Sequence, residues 1–395
     1  MDQVKKSDLV IFIVGIMIFG LLLLIPDLPD SMIYVSTVRA SIQALKGQSD
    51  PSDLAQDVIG FRALVRQQNP YPVLGLAVQE LDIEWDVKHL SAHPPTVFLF
   101  VAPIAFLPWG LAAMLWAWAM LGLLGCTFRL YGMSWPAAWG WTCIAFLWPP
   151  ILTSLGQVTI IWLLGWTIGC LYARRHFWVN GLGIGLASLT KLVPILMVAC
   201  FILSKKRGHV LWGVLLVWVI ALVILMLLSP QALYQYVVTN RLNSMEMILR
   251  DDNASLLAVG YRSLGWLGTG CGLAFLGLVV WANKDRLFDP SDRSPSWNLW
   301  IVMSYVIVNL LPVFWIYSFT PLLPVIISLL TKRKLFSVFI GGTCLAVPFF
   351  VPSWGSATVF PFVIINLLLG IGLIADALPC KIFTAQTLKD MILQR

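Results

Sequence analysis

The sequence predicts an all-α polytopic membrane protein with about twelve transmembrane helices and a long first extracytoplasmic loop. Three observations predict it. The 395 residues are 59% hydrophobic and only 11% charged, against about 25% charged in soluble domains. The apolar residues gather in runs near bilayer length. The basic residues fall in small clusters between those runs rather than on one patch, which is the positive-inside pattern. That distribution also excludes nucleic acid as the partner implied by a net charge of +7.

Lys5 and Lys6 precede an apolar run over residues 9–25, and no small-residue cleavage site follows, so this reads as an uncleaved first span with a cytoplasmic N-terminus. Residues 27–108 then form the first extracytoplasmic loop, rich in acids. Within it, Val58, Ile59, Phe61, Leu64 and Val65 follow Asp53 and Asp57 at a spacing that predicts a short amphipathic helix lying on the membrane. Residues 95–107 carry Pro103 and read as an interfacial or re-entrant helix. Residues 110–127 return to Arg129, 135–154 go out to a turn at Gly156-Gln157, and 159–173 come back to Arg174-Arg175.

The stretch 177–203 lies between two basic clusters, Arg174-Arg175 and Lys205-Lys206-Arg207. Both belong inside, yet two full spans need roughly 40 residues. It is therefore predicted as a hairpin of short helices with Lys191 and Pro194 near its apex. Residues 210–228 exit, 229–262 form a second extracytoplasmic loop, and 265–282, 297–314, 317–330, 335–351 and 358–377 complete the path. Both termini then lie inside, and the whole chain, 1–395, is one transmembrane domain. Six of the seven cysteines sit in apolar runs without CxxC spacing, which gives neither a disulfide framework nor a zinc site.

Few residues are placed to do chemistry. Asp53 and Asp57 are four apart and share a helix face, where a carboxylate can take a proton from an attacking hydroxyl; a plain helix-terminal charge is the bland reading. Lys191 is a cation inside an apolar hairpin, costing about 2.5–3.5 kcal/mol at membrane depth, and such residues face watery cavities. Its natural partner is a phosphate. Arg241, Arg250 and Arg262 stand on the outer side against the charge bias and suit phosphate recognition, or headgroup anchoring. His93, Gln157, Asn253 and Tyr317 are candidates for lining the same cavity and binding substrate. HExxH and GxSxG motifs are missing from the sequence, so metal hydrolysis and serine chemistry have no motif behind them.

Four local patterns occur in order: an acid, an aromatic-apolar helix and Asn69-Pro70-Tyr71; His93-Pro94-Pro95-Thr96 followed by Ala102-Pro103 and a Trp-rich helix; Gly156-Gln157, Arg174-Arg175 and the segment from Gly185 through Lys191 to Pro194; and Asn253-Ala254-Ser255. In this the chain resembles glycosyltransferase family 87, a branch of the glycosyltransferase-C superfamily that includes polyprenol-phosphate-mannose-dependent mannosyltransferases. The resemblance implies a glycosyltransferase-C-like fold, a cavity open to the outer leaflet and a catalytic Asp in the first outer loop. It implies a polyprenyl-phosphate sugar donor, mannose before other hexoses or pentoses, and a lipid or envelope-glycan acceptor. It also implies a bacterial plasma membrane setting. A single carboxylate taking the acceptor's proton resembles the base half of an inverting glycosidase, and no cofactor or metal is expected. Asp57 is the first choice for the base and Asp53 the reserve, the latter having the fuller spacing to Asn69-Pro70-Tyr71. Tyr317 stands near where relatives often carry His. The competing readings are a flippase of lipid-linked sugars and a non-catalytic envelope-assembly protein.

Overall fold

The computed structural model describes residues 5–24, 33–48, 53–72, 74–83, 91, 93–172, 176–201, 207–250, 253–288, 296–311, 316–330, 334–350 and 359–377. The described residues contain no β-strand, as apolar segments facing lipid must satisfy their backbone groups within their own helices. Four helices there are long and apolar enough to cross a bilayer: Trp109–Leu130, Gly208–Leu228, Leu256–Leu287 and Phe360–Ala377. Five shorter apolar helices accompany them. The basic clusters at Arg174-Arg175, Lys205-Lys206 and Lys332-Arg333 lie outside the described residues.

Helix α1 (Lys6–Leu24) carries Asp8 in its first turn, where an acid complements the helix dipole. Ser134 donates to Asp8 Oδ2 at 2.7 Å, which ties α1 to the start of a later helix. The described part of 27–108, predicted as the first extracytoplasmic loop with interfacial helices, is largely helical. It forms α2 (Ile33–Leu45), α3 (Asp53–Val65), α4 (Leu74–Ala77) and α5 (Pro95–Phe98), with short 3-10 turns after α4 and α5. The expectation that α3 lies on the membrane surface is corrected. Ten of its residues, from Leu54 to Leu64, are buried, and Gln56 and Asp57 face other protein groups rather than water.

The predicted re-entrant helix over 95–107 is likewise short: α5 passes into a 3-10 turn at Leu99–Val101, with Val97 and Phe98 fully buried. Helix α6 (Trp109–Leu130) starts directly after Pro108. The span predicted over 135–154 is two helices, α7 (Trp135–Ala145) and α8 (Pro149–Ser154). Pro149 and Pro150 lack the donors needed to continue α7 and open a new helix instead.

Helices α9 (Thr159–Tyr172) and α10 (Phe177–Thr190) pack backbone to backbone. A Cβ on Gly183 would stand 2.4 Å from the Gly169 nitrogen, so only glycine permits this approach. The chain breaks at Lys191, which is extended (φ −145°, ψ 133°), and resumes as a 3-10 turn leading into α11 (Met197–Cys200). Helix α12 (Arg207–Leu228) packs on α10 and leaves Trp212 and Leu227 more than 70% exposed, a face suited to lipid.

Within the second predicted loop, 229–262, the described residues are largely helical. Most of it is α13 (Ala232–Leu249) and the first part of α14 (Leu256–Leu287). Helix α14 is two helices joined at a kink, because Leu264 and Gly265 are non-helical (Gly265 φ 60°, ψ −144°). The remaining helices are α15 (Trp297–Asn309), α16 (Leu323–Leu330), α17 (Leu335–Ala346) and α18 (Val359–Ala377). Asn309 of α15 and Asn366 of α18 exchange amide hydrogen bonds at 2.9 and 2.6 Å. At the end of α18, Lys334 donates to the Ala375 and Asp376 carbonyls and Arg286 to that of Asp376, which places cations at the negative end of the helix dipole.

Candidate active site

Helix α3 opens with Asp53 in its first turn. One turn later Asp57 lies on the same side. Opposite them stands His93, delivered by the Pro94-Pro95 pair. Pro94 is extended (φ −63°, ψ 148°) and Pro95 takes the first turn of α5, a position that needs no N–H. His93 Nδ1 is 2.7 Å from Asp57 Oδ1, and its Nε2 is 3.9 Å from Asp53 Oδ2. Gln157, in the turn between α8 and α9, donates through Nε2 to the same Asp53 Oδ2. Gln56 brings its amide nitrogen within 3.5 Å of His93 Nδ1.

Further contacts fix this arrangement. Tyr71, from Asn69-Pro70-Tyr71, donates its hydroxyl to the His93 carbonyl at 3.2 Å. Thr96 donates to the Leu189 carbonyl at 2.6 Å, which couples α5 to the end of α10 two residues before Lys191. Arg62 donates to the Ala105 carbonyl at 2.6 Å and to the Leu107 carbonyl at 3.4 Å, holding the irregular chain beyond α5 in place. Lys191 is an electrostatic neighbour of both Asp53 and Asp57. The acids of the first loop and the cation of the hairpin, more than 130 residues apart, therefore converge.

Burial separates the two acids. The Asp57 side chain is 1% exposed and that of His93 4%, whereas Asp53 is 18% exposed. Burial pushes the Asp57 carboxyl above its ordinary value of 3.8, outweighing the opposing pull of His93. Burial likewise pushes the Tyr71 phenol up. Asp57 Oδ2 and Gln157 Oε1 are buried with no hydrogen-bond partner among the described residues.

The other candidates form a second group. Arg262, inside α14, donates to the Arg250 carbonyl at 2.5 Å and the Asn253 carbonyl at 2.7 Å. Asn253 is fully buried and accepts from the Ser255 N–H at 3.0 Å, an Asx turn that leads into α14. The side chains of Arg241 and Tyr317 lie outside the described residues, although their backbones belong to α13 and to the 3-10 turn Ile316–Leu322. Sequence reasoning singled out neither Gln56, Thr96 nor Arg62. Gln56 and Thr96 sit beside Asp57 and the double proline, but their roles depend on partners 37 and 93 residues away. Among the described residues, no three His, Cys, Asp or Glu side chains are grouped to hold a metal ion.

Chemically, the arrangement offers a partly accessible carboxylate, a sealed carboxylate–imidazole pair behind it and an ammonium beside both. A polyprenol-phosphate-mannose-dependent alpha-(1-2)-phosphatidylinositol pentamannoside mannosyltransferase of Mycobacterium tuberculosis (strain CDC 1551 / Oshkosh) is 26% identical over 258 residues, covering 60% of this chain and 58% of that protein. The protein of the same name from Mycolicibacterium smegmatis (strain ATCC 700084 / mc(2)155) is 26% identical over 126 residues, covering 30% of each. The aligned stretch thus spans less than two thirds of either relative. No solved structure matches. The model of glycosyltransferase family 87 matches residues 92–312, a stretch that holds His93, Gln157, Lys191, Arg250, Asn253 and Arg262 and makes up more than half of the chain, and the protein belongs to that family.

Proposed function

We propose that this protein is a membrane glycosyltransferase that moves a sugar, mannose before other hexoses or pentoses, from a polyprenyl-phosphate donor to a hydroxyl of a lipid or envelope-glycan acceptor, with Asp53 as the general base. The observation that carries this assignment is the accessibility of Asp53 beside Lys191. Asp57, the first choice from sequence, is enclosed and paired to His93, so an acceptor hydroxyl meets Asp53 first.

In the proposed reaction the acceptor oxygen bonds to the sugar C1 as its proton passes to Asp53. The bond from C1 to the phosphate oxygen breaks, its electron pair leaves with the phosphate, and the configuration at C1 inverts. Lys191 stabilises the charge that grows on the phosphate, with Arg250 and Arg241 as further contacts for the donor. The reaction draws on no nucleotide site and no resident cofactor, because the donor arrives already activated in the bilayer. The proposed threading keeps twelve crossings with both termini inside and the pocket facing outward in a bacterial plasma membrane.

The test is transfer from polyprenyl-phosphate mannose to octyl mannoside by the reconstituted full chain. Asp53→Asn is expected to lower kcat by at least about 100-fold with the fold intact by thermal unfolding. Wild-type activity in that variant, or no transfer by wild type from mannose, glucose or arabinose donors, refutes the assignment.

A further inference from the structure

Two side-chain nitrogens converge on one oxygen of Asp53. Gln157 Nε2 hydrogen-bonds to Oδ2, and His93 Nε2 stands 3.9 Å from the same atom. His93 is held at its other nitrogen by Asp57, at 2.7 Å. One proton lies in that short contact, on the carboxyl or on the imidazole. With a hydrogen also on Nε2, that nitrogen faces Asp53 as a donor in both cases. The pair is neutral overall in both forms, so it presents an N–H donor without adding a second charge to the enclosed site.

Resting on the reading of Asp53 as the base, we infer that Asp57 and His93 form one positioning unit which, with Gln157, grips Asp53 through Oδ2 and leaves Oδ1 to receive the acceptor's proton. The 3.9 Å separation closes to hydrogen-bond length by a small rotation of the carboxylate, as is usual before substrate tightens a site. The backbone supports the same function. Tyr71 and the Pro94-Pro95 pair hold the His93 main chain, and Asp57 holds its ring. The sealed carboxylate of Asp57, placed where no substrate reaches, has a role on this account: it sets the direction of the Nε2–H.

The charged and titratable groups acting here are Asp57 on α3, His93 ahead of α5 and Lys191 beyond α10, together with the Tyr71 phenol, which faces Asp57. Glu80 is paired with Arg66 at 2.8 Å at the far end of α3. Gln56 and Gln157 are neutral.

Two substitutions of one residue separate this role from packing. His93→Gln keeps an amide N–H close to where Nε2 stands and gives up the Asp57 contact. His93→Asn keeps a partner for Asp57 but ends short of Asp53. With polyprenyl-phosphate mannose and octyl mannoside, His93→Gln is expected to stay within about tenfold of wild-type kcat. His93→Asn is expected to lose about 100-fold with KM for octyl mannoside within about twofold. The acidic limb of its kcat profile is expected to move up by about one pH unit, because a carboxylate stripped of a donor holds its proton more tightly. Asp57→Ala is expected to lower kcat alone and to add no loss in the His93→Asn background. The inference is overturned if His93→Asn outperforms His93→Gln, if the acidic limb does not move, or if the two losses multiply. Full activity in Asp53→Asn removes the base itself; a dead Asp53→Asn beside a normal His93→Asn removes only the positioning unit.

Discussion

Replacing Gly60 with alanine is expected to damage the pocket from outside it. Gly60 lies one turn beyond Asp57 on α3 and faces α5. A Cβ there would stand 2.7 Å from Cε1 and Cζ of Phe98 and 2.8 Å from Cε2. Carbon atoms rest at about 3.5–4.0 Å, so the ring or the helix has to retreat by about 1 Å. The ring has little freedom to do so, since Phe98 is fully buried and the Tyr71 ring lies 5.7 Å away between centroids. Overpacking of this kind costs about 1–3 kcal/mol, set against a gain of about 1 kcal/mol from removing a helical glycine. The net loss of stability is therefore small, about 1 kcal/mol. The effect on rate is larger, because α3 carries both acids and α5 is attached to His93. A displacement of about 1 Å in an aligned site lowers rate by about 100-fold. The assay is initial-rate mannosyl transfer by Gly60→Ala alongside thermal unfolding in the same detergent. Adding Phe98→Leu opens space for the methyl group and is expected to restore most of the rate. A Gly60→Ala variant at wild-type rate, or failure of Phe98→Leu to rescue it, refutes the account of α3 packing.

Three other outcomes are expected. Because the folded protein holds the Asp57 proton above its ordinary 3.8, the native state binds more protons than the unfolded chain in that window, and stability falls as pH rises through it; Asp57→Asn lacks this loss, so a Tm series is expected to show the variant gaining on wild type with rising pH. Asn309→Leu leaves Asn366 without its amide partner and is expected to cost about 1 kcal/mol, much of it recovered in the Asn309→Leu, Asn366→Leu double variant by the same unfolding measurement. Lys191→Gln is expected to lower kcat by about 100-fold while protein yield and Tm stay near wild type, read by the same transfer assay.

The polytopic helical class was legible because it follows from composition and run length alone. Several helix starts were legible too: Pro108, Ser134 and Ser296 mark them in local chemistry. The burial of polar residues within the two predicted loops was not legible, for one physical reason. Polar content was taken as contact with water, whereas Gln56, Asp57 and His93 contact one another inside protein, and Asn253 closes a turn. A helix buried on all sides by protein has no amphipathic period to disclose it. The kink in α14 falls between the predicted second loop, ending at 262, and the span predicted from 265, with Gly265 at positive φ. At the site, the residue types and the convergence of acid and lysine were legible from chemistry. The difference in exposure between Asp53 and Asp57 was not, since exposure is a tertiary quantity that sequence spacing does not carry.

Lys191 is an electrostatic neighbour of Asp53 and, in the proposed reaction, faces two anions in turn. In the proposed reaction, negative charge leaves Asp53 as it takes the proton and appears on the departing phosphate, so the total charge around Lys191 is unchanged. A cation that favoured the Asp53 anion alone would make it a weaker base and slow the reaction. The same cation placed between base and leaving group loses one partner only as it gains the other, and its net effect depends on which anion it approaches more closely in the transition state. Lys191 is suited to that exchange because it lies at a break in the chain, extended after α10, with a flexible stem that lets a compact ammonium follow the charge. A rigid, two-pronged arginine at this position would hold one anion and release it slowly. Lys191→Arg is therefore expected to bind polyprenyl-phosphate mannose at least as tightly as wild type and to turn it over more slowly. A fall in donor KM without a fall in kcat would refute the exchange.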